Sequence, residues 1–243
     1  MELLKSLYRI NSKSGKEAEI KAFVLDYIAC IEDVVVEEDD FGSLFIRKGG
    51  AEPSPCVVAH LDEVHDVECR VVVEDGDMLY ATDAAGERVG LGADDKNGIW
   101  IALRLLEQKS SLRVALFVHE EKLGDLAGCR GSRACDLSRF DDATCLLQCD
   151  RRGNSELVTI GKGDIALCRE GFFPADLLAR YGYCAVPGGR TDVVALRERG
   201  LEKDCCNISC GYYNAHKSDE YTIFSHLQNA LVFVSELIDS LSA

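Results

Sequence analysis

The seven residues Gly92-Ala93-Asp94-Asp95-Lys96-Asn97-Gly98 place two carboxylates at the start of a predicted helix, which extends over residues 95–106. Apolar stretches that are typical of buried strands lie on both sides of this segment, at residues 56–60 and 112–118. Strands that alternate with helices in this way indicate an α/β fold. We therefore predict a mixed, largely parallel central sheet with helices covering both faces.

The rest of the chain continues this alternation. Helices are predicted at residues 14–31, 172–181, 191–199 and 222–241, and strands at 34–36, 44–46, 143–149 and 205–211, with a hairpin over 69–80. The first of these helices is expected to open with a capping box formed by Ser14 and Glu17. The pattern is weakest over residues 151–189. A length of 243 residues without internal repeats predicts one domain that spans residues 1–243.

Charge and hydrophobicity argue against nucleic acids and membranes as partners. The chain has 42 Asp and Glu against 27 Lys and Arg, which gives a net charge of −15. Because nucleic-acid binding depends on clustered Lys and Arg, this balance argues against DNA and RNA. The uncharged stretch at 221–235 contains Ser, His, Gln and Asn, and it is shorter than the ~20 apolar residues of a membrane span. We predict a soluble, cytoplasmic protein that binds neither nucleic acid nor membranes, since the N-terminus also lacks a signal peptide.

The 12 cysteines do not form a recognisable metal or disulfide framework. No C-x-x-C pair occurs, so a structural zinc site made of four cysteines is not expected. Several cysteines lie in apolar stretches, where a free thiol behaves as a small hydrophobic side chain. We therefore expect reduced thiols.

Five segments place metal-binding residue types just after a predicted strand or at a helix start. They are His60-Leu61-Asp62, Gly92-Ala93-Asp94-Asp95, His119-Glu120-Glu121, Cys149-Asp150 and Asn214-Ala215-His216. Open α/β sheets build their sites beyond the carboxyl ends of the strands, so these segments are expected to converge. Imidazole nitrogen and carboxylate oxygen are zinc ligands, and two ions about 3.5–4 Å apart share a bridging carboxylate. Two histidines and three carboxylates suit such a pair of ions.

Each motif also has a simpler interpretation when it is taken alone. H-x-D is common at protein surfaces, and Asp94 or Asp95 could cap the helix that follows. Glu120 and Glu121 could form a solvated pair of charges. The order of all five segments along the chain favours the metal site.

This ordered set of H-x-D, G-A-D-D-K-N-G, E-E, D and a late H resembles the co-catalytic dinuclear zinc exopeptidases, the group of peptidase T, carboxypeptidase G and glutamyl aminopeptidase. The resemblance extends from residue 40 to His216 and implies the zinc exopeptidase, or phosphorylase/hydrolase-like, fold. It implies two Zn²⁺ ions, with Co²⁺ or Mn²⁺ as alternatives, and Asp94 as the bridging ligand. His60 and Asp150 would be the remaining protein ligands of one ion. Glu121 and His216 would be the remaining protein ligands of the other.

The resemblance also implies catalytic roles for two carboxylates. Glu120 would be the general base, and Asp62 would hold the imidazole of His60 in its ligating tautomer. A cis peptide bond is implied between Asp94 and Asp95. Apart from the resemblance, neighbouring side chains on an extended backbone point in opposite directions, so one glutamate of the pair can bind metal while Glu120 faces the substrate water.

Residues 188–192, with the sequence G-G-R-T-D, resemble the glycine-rich segment near the substrate in glutamyl-type aminopeptidases. Arg190, Thr191 and Asp192 are therefore candidate substrate residues. A turn in which Thr191 or Asp192 caps the next helix explains the same sequence equally well. His119 is expected to support the ligands rather than to bind metal.

The chain departs from many relatives in the spacing between ligands. His60 and Asp94 are only 34 positions apart in the chain, and Asp150 and His216 are 66 positions apart. Neither interval accommodates a lid domain, which predicts a catalytic domain without lid or dimerisation insertion and leaves the oligomeric state open. Lidless relatives are mostly aminopeptidases. The sequence therefore favours an aminopeptidase that hydrolyses a terminal peptide bond with a hydroxide that bridges the two metals.

Other activities on the same site stay open. They are a carboxypeptidase or dipeptidase, an N-acyl amino acid deacylase, and a catalytically inactive metal-binding interaction protein. Arg151, Arg152, Arg190 and Lys217 could bind a substrate carboxylate, although surface ion pairs are the commoner use of such residues. The expected substrate is a small peptide or an N-acyl amino acid.

Overall fold

The computed structural model describes residues 1–122 and 124–242. Over these residues the chain forms seven α-helices, a 3-10 helix at Leu137–Phe140 and fourteen β-strands. The helices are α1 (Glu2–Arg9), α2 (Ala18–Ile28), α3 (Ala93–Gln108), α4 (Arg130–Ala134), α5 (Ala175–Tyr181), α6 (Asp192–Glu198) and α7 (Phe224–Ser242). The strands are β1 (Val34–Glu38), β2 (Leu44–Lys48), β3 (Ser54–His60), β4 (Val71–Asp75), β5 (Met78–Thr82), β6 (Arg88–Val89), β7 (Leu112–Phe117), β8 (Ala143–Arg151), β9 (Glu156–Gly161), β10 (Ile165–Ala166), β11 (Cys184–Pro187), β12 (Cys205–Ser209), β13 (Tyr212–Tyr213) and β14 (Tyr221–Ile223).

The larger sheet has the order β1-β2-β7-β3-β8-β12-β9-β10, and β11 also pairs with β9. Its centre, β7-β3-β8-β12, is parallel. The edges are antiparallel, because β1 and β2 form a hairpin and β9 pairs antiparallel with both β12 and β10. The predicted mixed sheet is confirmed, but its parallel part is confined to the centre and to the pair of β9 with β11.

A second, smaller sheet was not anticipated beyond one hairpin. In it β4 and β5 form the hairpin predicted over residues 69–80, and β14, β13 and β6 extend it. All its pairings among the described residues are antiparallel. Because β13 and β14 flank the loop that carries His216, this sheet fixes both ends of that loop.

Apolar side chains of the central strands alternate between two cores. In β3, Val57 and Ala59 join the core beneath α3 and α7, whereas Cys56 and Val58 join the core beneath α6. The predicted cover of helices on both faces is therefore confirmed. None of the helices in the described part of the chain combines the length and apolar character of a membrane span.

The N-terminal region differs most from the predicted elements. Helix α1 was missed, although Leu4, Leu7 and Tyr8 are buried at helical spacing. The predicted capping box is wrong, because α2 begins only at Ala18 and has no side-chain cap. Instead the backbone N–H of Ser14 donates to the carbonyl of Glu63 at 3.0 Å, which holds this segment against the residues that follow β3.

A buried ion cluster ties the start of α3 to the segment after β3. Glu63 accepts hydrogen bonds from Lys96 at 2.6 Å and from Arg70 at 2.7 Å, and all three side chains are almost wholly buried. Burial opposes ionisation of Glu63, but the two cations outweigh it and lower the pKa of this carboxyl. Burial lowers the pKa of Lys96 to about 8, against the opposing effect of Glu63.

Replacement of Glu63 by glutamine should destabilise the fold by about 3–5 kcal/mol, because it leaves two buried cations without their anion. Chemical denaturation of the purified protein gives this difference in the free energy of unfolding. The matched control is Glu236→Gln, since Glu236 is half exposed and pairs with Arg180 at the surface. That variant should change the free energy of unfolding by less than about 1 kcal/mol. Equal stability of the two variants would contradict the importance of the cluster.

Candidate metal centre and active site

The predicted ligands come from neighbouring parts of the parallel centre of the sheet. β3 ends at His60, β8 contains Asp150, and the loop after β7 carries Glu121. Since β7, β3 and β8 are adjacent and parallel, their carboxyl ends meet at one edge. Asp94 comes from the first turn of α3, and His216 from the loop after β13. The structure therefore brings all five predicted ligands together.

Asp94 lies between the two histidines. Its Oδ1 is 3.1 Å from Nε2 of His60, and its Oδ2 is 3.2 Å from Nε2 of His216. Each carboxylate oxygen thus faces a different imidazole. This is the arrangement that a carboxylate shared by two cations requires.

The other two carboxylates divide between the two sides of Asp94. Oδ1 of Asp150 is 3.6 Å from Nε2 of His60, and Oε1 of Glu121 is 2.7 Å from Nε2 of His216. Ligands about 2.0–2.2 Å from a tetrahedral zinc ion lie about 3.3–3.6 Å from one another. The separations around His60 and Asp94 are close to this range, and the contact between Glu121 and His216 is shorter.

The ligand atoms of two groups of three residues lie close together. One ligand atom each from His60, Asp94 and Glu121 lie within 4.8 Å of one another, and the same is true of His60, Asp95 and Asp150. Asp95 has other partners, because its oxygens accept the backbone N–H groups of His60 at 3.1 Å and Gly98 at 3.0 Å. Asp95 therefore fixes the end of β3 against α3.

The site concentrates negative charge in a buried volume. Burial, together with the charge of Asp94, raises the pKa of Asp150 to about 8, and burial also raises the pKa of Glu121. The contacts of His216 with Asp94 and Glu121 raise the pKa of its imidazole to about 11. Burial opposes ionisation of Asp94, but both histidines outweigh it and lower the pKa of this carboxyl. The carboxylates thus stabilise nearby positive charge strongly.

One buried oxygen of the site lacks a donor. Oε1 of Glu121 accepts no hydrogen bond from any described residue, and its ion-pair contact is with the imidazole of His216, whose Nε2 lies 2.7 Å away without hydrogen-bond geometry. A buried carboxylate oxygen without a partner is costly unless a cation neutralises it. The donor set of oxygen and imidazole nitrogen, its spacing and this oxygen therefore fit divalent metal ions such as zinc.

The local backbone explains why the G-A-D-D-K-N-G sequence is needed. Gly92 has a φ of +69°, and a Cβ there would lie 2.1 Å from Oε2 of Glu63. A Cβ at Gly98 would lie 2.5 Å from both Asp95 and the carbonyl of Cys149. The implied cis peptide bond between Asp94 and Asp95 is confirmed. Glycines thus let α3 approach β8 and the ion cluster closely.

Asp62 supports the site by a route that differs in part from the predicted one. Nδ1 of His60 is 2.9 Å from the backbone carbonyl of Asp62 and 3.6 Å from its carboxylate. An N–H at Nδ1 that donates to this carbonyl leaves Nε2 free to bind a metal. The carboxylate of Asp62 instead accepts the backbone N–H groups of Glu120 at 2.8 Å and Glu121 at 3.0 Å. Asp62 therefore orients His60 and the glutamate pair together.

Glu120 lies beside the predicted ligands, and its side chain is 12% exposed. Its Oε2 is 4.0 Å from Nε2 of His60, and its Oε1 accepts the S–H of Cys129 at 3.2 Å. Burial and the neighbouring carboxylates Asp192, Asp150 and Glu121 raise the pKa of Glu120, although His60 opposes them. A carboxylate whose pKa is raised is suited to accept a proton. His119 lies outside this group and contacts Ser14 and Glu17.

Several supporting residues were not found from the sequence. Glu220 accepts the backbone N–H groups of Gly92 at 2.6 Å and Asp94 at 3.2 Å. The hydroxyl of Tyr212 donates to Asp150 at 3.3 Å. Glu220 gives no local sequence signal, because it lies in a turn more than 100 residues from the backbone that it binds. Tyr212 could have been suspected, since it precedes His216 by one short loop.

The three residues predicted to contact substrate do not share one environment. Arg190 and Thr191 line the cavity that contains Glu120 and four of the five predicted ligands. Asp192 does not line it, because its side chain is wholly buried and accepts from Ser132 at 2.6 Å and Gln148 at 3.4 Å. Gln148 in turn donates to Asp150 at 3.1 Å. Asp192 therefore lies behind the cavity wall. Its carboxylate is linked to the predicted ligand Asp150 through hydrogen bonds from Gln148.

The cavity has a volume of about 270 Å³. Its lining includes Asp94, Glu120, Glu121, Asp150 and His216, and also the three arginines Arg151, Arg152 and Arg190. A second cavity of similar volume lies at the opposite end of the strands, and none of the predicted site residues line it. The acidic cavity is therefore the candidate active site.

Solved structures share this fold at low sequence identity. Aminopeptidase PepT from Bacillus cereus is 15% identical, with a TM-score of 0.81 over 100% of this chain and 98% of that one. A tripeptidase from Staphylococcus aureus is 14% identical, with a TM-score of 0.79 over 98% and 96%. A TET aminopeptidase from a marine sediment thaumarchaeote is 14% identical, with a TM-score of 0.71 over 100% and 98%.

No protein-family model and no curated protein sequence matches the chain. At these identities the structural similarity establishes the fold. The fold that the sequence resemblance implied is therefore confirmed.

Proposed function

We propose that this chain is a metal-dependent exopeptidase, most specifically an aminopeptidase, that hydrolyses the terminal peptide bond of small peptides. The observation that carries this proposal is the position of Asp94, which faces both His60 and His216 in a cavity that also contains Glu120. The fold similarity to aminopeptidase and tripeptidase structures supports the same activity.

We assign the two metal positions as the sequence resemblance implied. Asp94 is the shared ligand, with His60 and Asp150 on one side. Glu121 and His216 lie on the other side. The expected ions are Zn²⁺, with Co²⁺ or Mn²⁺ as alternatives. When bound, two such ions would acidify a water molecule and polarise the scissile carbonyl.

Glu120 performs the proton transfers in this proposal. It accepts a proton from the attacking water and returns it to the nitrogen of the leaving amine. The S–H of Cys129 occupies Oε1 of Glu120, which leaves Oε2 for the proton. Asp62 holds the backbone of Glu120, so the base keeps its position relative to His60.

The free, mostly buried cysteines support the location that we propose. All 12 cysteines are free, and most are buried in the cores. Free buried thiols are typical of proteins from a reducing compartment, so we assign the protein to the cytoplasm. We also propose that residues 1–243 form one catalytic domain without a lid.

One observation favours a second activity on the same site. Three arginines line the same cavity as the acidic residues, and arginine binds carboxylates well. A carboxypeptidase or dipeptidase would use them to hold the carboxyl terminus of its substrate. An N-acyl amino acid deacylase would also present a free carboxylate there.

A panel of short peptides tests these activities directly. The protein is loaded with Zn²⁺, Co²⁺ or Mn²⁺ and given trialanine, N-acetyl-trialanine and N-acetyl-alanine. An aminopeptidase releases alanine from the free N-terminus of trialanine and does not cleave either acetylated substrate. Cleavage of N-acetyl-trialanine from its carboxyl end would favour a carboxypeptidase, and release of acetate would favour a deacylase. No turnover of any substrate, with metal bound, would refute the enzymatic proposal; a chelator provides the blank reaction.

A further inference from the structure

The second cavity, of about 270 Å³, lies at the opposite end of the central strands from the candidate active site. It is formed where the amino-terminal ends of β3, β7 and β8 meet β1, β2 and the 3-10 helix. Cys56 of β3 lines it, and His60 lies four positions further along the same strand, which is about 13 Å at about 3.3 Å per residue. The second cavity is therefore separate from the metal centre.

Two arginines lie side by side on the wall of the second cavity. Arg47 of β2 is directly opposite Arg113 of β7 in the antiparallel register, so both side chains leave the sheet on the same face. Arg113 pairs with Asp142 at 2.8 Å, but its buried Nη1 has no hydrogen-bond partner among the described residues. The guanidinium of Arg47 has no ion pair or hydrogen bond within the part of the chain that the structure describes. Because like charges directly opposite each other destabilise a sheet, a bound anion would stabilise this pair.

The same cavity contains a carboxylate without a partner. Asp141 follows the 3-10 helix and is exposed, and its carboxylate has no hydrogen bond or ion pair with any described residue. The other acidic side chains of the lining are already paired, since Glu37 contacts Arg139 at 2.9 Å and Asp142 contacts an arginine. The unpaired groups are thus one cation and one anion that do not contact each other. A ligand that carries both charges complements them, whereas a simple carboxylate would use only the cation.

Two aromatic rings give the second cavity an apolar part. Phe45 and Phe140 both line it, with their ring centroids 6.0 Å apart in an edge-on arrangement. The guanidinium of Arg139 lies 4.6 Å from the centre of the Phe45 ring, which holds this ring in place. The volume is below the roughly 300–1,000 Å³ of drug-sized ligand sites. These walls therefore suit a small ligand with an apolar side chain.

From these groups we infer that the second cavity binds a free amino acid with an apolar side chain, such as phenylalanine or leucine. The carboxylate of the ligand binds Arg47, beside the positive charge of Arg113. Its ammonium group binds Asp141, and its side chain packs against Phe45 and Phe140. Free amino acids are the products of the proposed exopeptidase, so the choice of this ligand rests in part on that function. The second cavity is thus a product-binding site outside the metal centre.

Isothermal titration calorimetry of the zinc-loaded protein with phenylalanine tests this inference. The analogues 3-phenylpropionate and 2-phenylethylamine each lack one of the two charges. The parent should bind phenylalanine with a Kd below about 1 mM. Each analogue should bind about 10–100-fold more weakly, because each loses a hydrogen bond between charged groups. Equal affinity for phenylalanine and either analogue would overturn the inference that both charges are recognised.

Two variants assign the charges of the ligand to their partners. Arg47→Gln should weaken the binding of phenylalanine and of 3-phenylpropionate by about 10-fold or more, since both carry the carboxylate. Asp141→Asn should weaken the binding of phenylalanine and leave that of 3-phenylpropionate unchanged. Both variants should hydrolyse trialanine like the parent, because neither residue lines the candidate active site. An unchanged affinity for phenylalanine in either variant would overturn the inference.

Two further proteins serve as controls in the same titration. Arg180→Gln also removes one positive charge, but Arg180 is 60% exposed, pairs with Glu236 and does not line the second cavity. It should bind phenylalanine like the parent. Asp94→Asn, which disables the metal centre, should keep one site with the affinity of the parent. Loss of all binding in Asp94→Asn would place the ligand at the metal centre and overturn the inference.

The result also distinguishes failure of this inference from failure of the proposed function. A parent protein that hydrolyses trialanine but does not bind phenylalanine would refute the second site and leave the exopeptidase intact. Binding of phenylalanine by a metal-loaded protein that hydrolyses no peptide would retain the site and refute the exopeptidase.

Discussion

The variant Glu120→Gln is expected to lose peptide hydrolysis by about 10²–10⁴-fold while it keeps its full content of metal. Glutamine preserves the size of the side chain and an oxygen that can accept the S–H of Cys129. It cannot accept the proton of the attacking water. The loss should therefore appear in kcat with little change in KM, because the substrate still reaches an intact cavity.

Elemental analysis measures the metal content, and steady-state kinetics on the same preparation measure kcat and KM. Glu68→Gln is the matched control, since Glu68 is 80% exposed, pairs with Lys16 and does not line the cavity. It should leave both turnover and metal content at the values of the parent. Parental turnover in Glu120→Gln would refute the assignment of the base, whereas loss of metal would mean that Glu120 helps to bind the ions.

The sequence predicted which side chains meet at one edge of the sheet, because these residues obey a topological rule. His60 and Asp150 each lie at the carboxyl end of a strand, and parallel strands bring such ends together. The position of Asp94 at the start of α3 followed from the same order of segments. The central strands were equally easy to predict from the sequence. Strands that are covered on both faces are continuous apolar stretches, without alternating polar residues.

Features that depend on contacts between residues far apart in the sequence were not predictable. Glu220 holds the backbone at Asp94 from a turn near the end of the chain, and no periodicity marks it. Ser14 begins a capping-box sequence, but the backbone at Lys13 and Ser14 pairs with Glu63 instead, so tertiary contacts overrode a local signal. The second sheet was missed because its strands are short and β13 and β14 come from a region with few apolar residues.

The variant Asp94→Asn should lose both metal ions, and with them at least about 10³-fold in turnover. Asparagine replaces one of the two oxygens by an NH₂ group, which cannot act as a metal ligand, and it removes the charge that faces both histidines. His216→Ala provides the contrast, because His216 contacts only one side of the site. It should lose one ion and keep the other. Metal counting by elemental analysis after dialysis distinguishes a shared ligand from a terminal one.

Thermal unfolding separates loss of metal from damage to the fold. Without metal, Asp94→Asn should be less stable than the parent at neutral pH, because His60 and His216 lower the pKa of Asp94 in the folded state and the variant loses these two contacts. With zinc at 100 times its dissociation constant, each occupied site stabilises the folded state by about 2.7 kcal/mol. The parent should therefore gain stability on addition of zinc, His216→Ala should gain less, and Asp94→Asn should gain almost nothing. Equal gains in the parent and in Asp94→Asn would show that the ions bind elsewhere, because a shared ligand cannot be removed without cost to both sites.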